Sequence, residues 1–165
     1  MKKIYLLMMV TLALSGCEKD DICTEETTPR LILEFYDISN PANLKNVLNV
    51  KVKGVGQMND LATYNGVSKI ALPLNPTENS TKYSLIINST SSTVAPNEDF
   101  LEFDYTHKNV FVSRACGYKT TYTLNNPNGI LLTDAATPDT FWIQDINIIT
   151  TNITTENETH IKIYF

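Results

Sequence analysis

From Arg30 onward apolar and polar residues alternate with a period of two, the pattern of strands that cover one face. Leu31, Leu33 and Phe35 alternate with Ile32, Glu34 and Tyr36, so the second face of this first strand is partly covered as well. Residues 37–47 read as a loop broken at Asn40 and Pro41, with room for one helical turn over 42–47, too short to stand alone. Leu48, Val50 and Val52 then alternate with Asn49, Lys51 and Lys53, which predicts one buried face and one wet face, and Gly54 and Gly56 punctuate the end. The Asn65-Gly66 pair suits the positive φ values of a tight turn and predicts a hairpin of 61–64 with 67–72. Pro73 and Pro76 end its second arm, because proline cannot donate to a ladder.

The second half repeats this grammar. Residues 82–88 place Tyr83, Leu85 and Ile87 on one side and lead into a Ser/Thr-rich loop over 89–97. In 100–107 Leu101, Phe103 and Tyr105 point inward and Glu102 and Asp104 outward; Lys108 and Asn109 are expected to turn the chain into 110–115. Residues 118–124 pair beside that hairpin, with Gly117 allowing a bulge. After a turn over 125–129, a short strand at 130–132 and a loop over 134–139, the segments 141–151 and 159–165 form the last hairpin, closed around 152–157. In its final arm Ile161, Ile163 and Phe165 face one way, opposite His160, Lys162 and Tyr164. No helical period is sustained. Eight or nine short strands rich in Thr, Ile, Val and Tyr predict an all-β fold, an antiparallel β-sandwich of immunoglobulin-like type, with a closed β-barrel as the alternative.

The N-terminal stretch is built differently. Lys2 and Lys3 precede an apolar run from Ile4 to Leu14, which is followed by Ser15, Gly16 and Cys17. At about 1.5 Å per residue such a run reaches roughly 17 Å as a helix, against about 30 Å of hydrocarbon, so a secretory signal fits better than a membrane span. Leu14-Ser15-Gly16-Cys17 resembles the lipobox of bacterial lipoproteins, which implies diacylglyceryl transfer to Cys17 and cleavage before it. An ordinary signal peptide with a chance cysteine is the alternative. The expected organisation is a signal peptide over 1–16, a lipidated cysteine and acidic tether over 17–29, and a single β-sandwich domain over 30–165.

Charge and cysteine usage narrow the setting. The whole chain carries a net charge of −5; loss of Lys2 and Lys3 leaves 11 basic residues against 18 acidic ones, or −7. No basic stripe with interleaved aromatics offers counterion release from nucleic acid, which is not expected as a partner. With Cys17 given to lipid, Cys23 and Cys116 remain as one candidate disulfide in an oxidising compartment. Closing a loop of about 94 residues would contribute about 4–5 kcal/mol on loop entropy. The competing reading is a reactive Cys116 thiol activated by Arg114 or Lys119.

Two further resemblances extend the picture. Lys19, Asp20 and Asp21, directly after the lipidated cysteine, look like the acidic export signal of Bacteroidota surface lipoproteins; a merely solvated tether is the alternative. The segments Cys-Glu-Lys-Asp-Asp-Ile-Cys at 17–23, Thr-Pro-Arg at 28–30, Ser-Arg-Ala-Cys-Gly-Tyr-Lys-Thr at 113–120 and Glu-Asn-Glu-Thr-His-Ile-Lys at 156–162 resemble a flavobacterial lipoprotein family catalogued only as a domain of unknown function. That resemblance implies an envelope lipoprotein and brings no activity, ligand or catalytic residue.

Candidate chemistry is sparse. His107 and His160 stand at polar positions of strands without an HxH or HExxH partner and read as exposed. There is no GxSxG and no GxxxxGK[ST]. The pairs Glu98/Asp99 and Glu156/Glu158 lack the spacing of a calcium loop and read as solvated charge. The sequons at Asn79, Asn88, Asn152 and Asn157 follow from composition.

Arg114 shares strand parity with Val110, Val112 and Cys116, so it is expected inward beside a carboxylate; alternatively Arg114, Tyr118, Lys119 and Tyr122 form a binding patch for an anionic or sugar ligand. The expectation is a lipid-anchored outer-membrane or surface protein, a non-enzymatic binding or structural module. Its partners would be the membrane and an envelope protein or glycan, and no cofactor or metal is expected. The alternative is a surface hydrolase acting on glycans or peptides.

Overall fold

The period-two pattern becomes twelve strands and no helix in the computed structural model, which describes residues 22–165. The expected signal peptide over 1–16, Cys17 and the segment Lys19, Asp20 and Asp21 lie outside the described residues. β1 (Leu31–Asp37) is central to the first sheet. It runs parallel to β12 (Ile161–Tyr164), Leu33 opposite Ile161, and antiparallel on its other edge to β5 (Lys69–Leu72) and β2 (Asn40–Leu44); β10 (Asp145–Ile148) pairs with the far side of β12. The second sheet has the order β11–β8–β7–β6–β3–β4, formed by β11 (Asn152–Ile153), β8 (Gly117–Leu124), β7 (Asn97–Ser113), β6 (Ser80–Ile87), β3 (Val50–Gly54) and β4 (Ala62–Tyr64). β9 (Ile130–Asp134) pairs with the first half of β7.

The two sheets pack into a β-sandwich and no barrel closes. Leu31, Leu33, Phe35, Ile70, Leu72, Ile161 and Ile163 of the first sheet meet Val50, Val52, Leu85, Leu101, Phe103, Tyr105 and Leu124 of the second, all buried. Phe35, Trp142 and Phe165 form an aromatic triangle with centroids 5.6–6.4 Å apart, and the Trp142 indole N–H donates to the Leu85 carbonyl at 3.1 Å. The crossover from β5 to β6 is held by three tyrosines of the second sheet. Tyr83 donates to the carbonyl of Pro73, Tyr122 to that of Leu74 at 3.1 Å, and Tyr105 to that of Asn75 at 2.9 Å. Three consecutive carbonyls of the crossover are thereby given hydrogen-bond partners.

Several strand expectations are corrected. Residues 40–44 form β2 rather than a loop or helical turn, because the edge of β1 beyond Glu34 needs a partner after β5 ends. Leu48 is exposed, since Asn49 takes a left-handed φ of 51° and breaks the alternation before β3 begins. Asn65-Gly66 does not close a hairpin: β4 pairs with β3 and β5 with β1, so the turn carries the chain between sheets. Lys108 and Asn109 do not turn either. They lie within the 17-residue β7, opposite Thr121 and Thr120, and Asn109 accepts a hydrogen bond from the Thr120 hydroxyl. The loop of the last hairpin contributes β11 to the opposite sheet, and the β1/β12 pair is parallel. At the 125–129 turn glycine is required at 129, where a Cβ would stand 2.3 Å from the Asn125 carbonyl oxygen.

Candidate functional site

β7 is too long for the sandwich, and this length makes the most distinctive surface. Its first half, to Asp104, is flanked by β6, whereas from Tyr105 its strand pairing is with β8 alone. A two-stranded arm results. The turn at its tip, Arg114–Ala115–Cys116, is closed by Gly117 at φ 70° and by the Ser113 hydroxyl accepting the Cys116 N–H at 3.1 Å. A three-residue loop with its last turn in left-handed backbone needs glycine there.

The N-terminal tail is fixed to this arm. Cys23 and Cys116 form a disulfide with 1.96 Å between sulfurs and 4.8 Å between Cα atoms. Thr28 Oγ1 accepts the Thr120 N–H at 3.0 Å. The end of the tail is clamped on the other side by Arg30, whose Nε and NH2 donate to the two oxygens of Glu156 at 2.8 and 2.6 Å while its own backbone N–H adds a third bond. The Arg30 guanidinium holds the Glu156 carboxyl below its ordinary range.

The four residues of the expected patch separate. Arg114 is exposed in the tip turn and makes no ion pair among the described residues, so it is not an inward arginine; the register shift between Phe111 and Ser113 resets the parity, and the arm has left the core by then. Tyr118 is 70% exposed, and its ring meets Phe111, 56% exposed, edge-on at 5.4 Å. Lys119 is partly exposed opposite Val110, on the other face of the arm. Tyr122 is 1% exposed and belongs to the core, its phenol pushed up to about 12 by burial. Phe111 was not singled out by its sequence context, because only the cross-strand register brings it to Tyr118.

Two polar groups expected at the surface are buried. His160 has no exposed area; its Nδ1 accepts the Ile32 N–H at 2.8 Å, and its Nε2 has no hydrogen-bond partner among the described residues. Burial lowers its pKa. Asp99 is also fully buried. Its Oδ2 accepts the Ile143 N–H at 2.8 Å, Oδ1 has no partner, and burial raises its pKa to about 6. It sits opposite Leu85 and Asp134 in the ladder and fastens the segment leading to β10. The alternation contained that signal, since Asp99 shares parity with inward Leu101, Phe103 and Tyr105. His107 is partly buried.

No group of three His, Cys, Asp or Glu able to hold a metal occurs among the described residues. A cleft of about 830 Å³ runs between the 54–61 loop and the β5–β6 crossover and is open to solvent; it is lined by Met58, Asp60, Leu61, Lys82 and Tyr83 among others. Smaller clefts of about 200 and 260 Å³ flank the disulfide.

These features define an all-β sandwich with a long hairpin arm bonded to its N-terminal tail. The chain belongs to the family of unknown function DUF6452, whose model matches residues 49–165. The matched span begins after β2, although β1 sits at the centre of the first sheet. Comparison with curated proteins and with solved structures gives no significant match.

Proposed function

We propose that the chain is a lipid-anchored cell-envelope protein whose sandwich is a non-enzymatic binding or structural module. The observation that carries this reading is the Cys23–Cys116 bond, six positions after a cysteine that closes a signal-like apolar run. Such bonds persist in extracytoplasmic, oxidising compartments, and Cys17 is then the thiol left for lipid. Lys19, Asp20 and Asp21 favour the outer leaflet. The exposed Phe111/Tyr118 pair supports binding over catalysis, since large aromatic surface left in water marks contact sites. The hydrolase reading is supported less: among the described residues the one carboxylate with a strongly raised pKa, Asp99, is packed inside the fold rather than facing a cleft.

Mass spectrometry of the full chain extracted from membranes tests the proposal. The expected product begins at Cys17, carries acyl chains, and has no alkylatable thiol before reduction. A cytosolic product with residues 1–16 intact and both remaining thiols free would overturn it. Proteolysis of intact cells then reads surface exposure, and a protected domain would count against the outer leaflet.

A further inference from the structure

We propose that the tip of the β7–β8 arm lies in the phosphate-bearing headgroup layer of the bilayer that holds the anchor, so that the domain stands on the membrane by this hairpin. The proposal rests on the lipid anchor at Cys17. Its geometric basis is the disulfide. From Cys17 to Arg30, where the domain begins, thirteen residues of free chain would reach about 45 Å at about 3.3–3.6 Å each. The bond at Cys23 cuts that reach to six residues, about 20 Å, and transfers it to Cys116 in the arm's tip, 4.8 Å further in Cα separation. The tip is therefore leashed within a short span of the membrane surface.

The chemistry of the tip suits that place. Ile22, Phe111 and Tyr118 are 77%, 56% and 70% exposed, and an aromatic pair with a phenol at its edge is the kind of group that settles at the membrane–water boundary. Between Tyr105 and Leu124 the chain carries Lys108, Arg114 and Lys119 and no Asp or Glu, in a protein of net charge −5. The five ion pairs of the described residues use Arg30, Lys45, Lys51, Lys69 and Lys82, which leaves these three cations without a carboxylate partner there. Arg114 lies in the tip turn, and Lys108 and Lys119 stand on the face of the arm opposite the aromatic pair; together they draw anionic headgroups to the arm while the rings settle among them.

The test uses the full, lipidated chain in vesicles of phosphatidylethanolamine and phosphatidylglycerol, with part of the lipid brominated on the acyl chains near the headgroup. Trp142 is the only tryptophan and is buried, so wild-type protein is the unquenched control. The indole introduced by Tyr118→Trp is expected to be quenched about twofold. The joint change Cys23→Ser and Cys116→Ser, which lengthens the leash, and the joint change Lys108→Gln, Arg114→Gln and Lys119→Gln are each expected to weaken that quenching. An acylated, vesicle-bound Tyr118→Trp protein whose new indole is unquenched, or becomes shielded only when an envelope protein fraction is added, overturns the inference and leaves the anchor standing. A mass showing no acyl chain removes the anchor and this inference together.

Discussion

His160 and Ile32 hold each other twice across the parallel β1/β12 pair: the Ile32 N–H donates to His160 Nδ1 at 2.8 Å, and the His160 N–H donates to the Ile32 carbonyl at 3.1 Å. An imidazole that accepts at Nδ1 must be unprotonated there, and burial lowers its pKa below the ordinary 6.5. The unfolded chain then binds the proton more readily than the folded one, so this contribution is present above pH 6.5 and is lost as pH falls through the folded value. In urea titrations the share of stability contributed by the imidazole should be lost over that window, read as the difference between wild type and a variant that cannot charge. His160→Asn, which keeps an acceptor but cannot charge, should lose less; equal losses would show that the imidazole does not carry the effect.

Asp99 is predicted to act with the opposite sign. A carboxyl raised from 3.8 to about 6 binds its proton more tightly when folded, so its own contribution to stability rises as pH falls from about 6 toward 4, by up to about 3 kcal/mol. Asp99→Asn retains an acceptor for the Ile143 N–H and cannot ionise. It should be more stable than wild type at pH 7, by about 1–3 kcal/mol, and approach it at pH 4. Unfolding midpoints at the two pH values decide this.

Removal of a tyrosine hydroxyl from the crossover should leave a carbonyl without its partner. Tyr83→Phe and Tyr122→Phe are each expected to cost about 1–2 kcal/mol. Tyr105→Phe should cost more, because its hydroxyl also meets Thr81 Oγ1 at 2.6 Å. Desolvation raises all three phenols, so they remain donors throughout the neutral range. Denaturant titration of the three variants would test the order; a Tyr105 variant no worse than the other two would contradict it.

Reduction of the disulfide should lower stability without unfolding the sandwich. The bond joins cysteines separated by 93 positions in sequence, for which loop entropy allows about 4–5 kcal/mol. The clamp of Arg30 on Glu156 keeps the end of the tail in place when the bond is gone. The expected result is a lowered thermal midpoint with Trp142 emission still that of a buried indole. An emission maximum shifted to that of exposed tryptophan upon reduction alone would mean that the bond is required for the fold.

Legibility in the sequence followed the range of each interaction. The alternation in β1, β6 and the first half of β7 was readable because a single covered face imposes it locally. The polar look of Lys108-Asn109 misled, since a turn there required a free strand end and β8 instead continues the ladder. Arg114 was placed inward by parity that a bulge resets, and Tyr118 and Tyr122, four residues apart on one strand, parted because the sandwich ends between them. Of the site, the cysteine pair could be named from composition, whereas Phe111 beside Tyr118 could not.

By itself the sequence determined the β class and the apolar stripe of most strands, and it named Cys23 and Cys116 as a candidate pair, because each follows from nearest-neighbour periodicity or from a choice among few thiols; the bond itself is given by the structure. Tertiary packing alone decided that His160 lies inside, that β1 and β12 run parallel, and that β7 outgrows its neighbours to form the arm. The first two depend on segments that meet from more than a hundred residues away, as Ile32 and His160 do across a separation of 128, and no local pattern records that encounter.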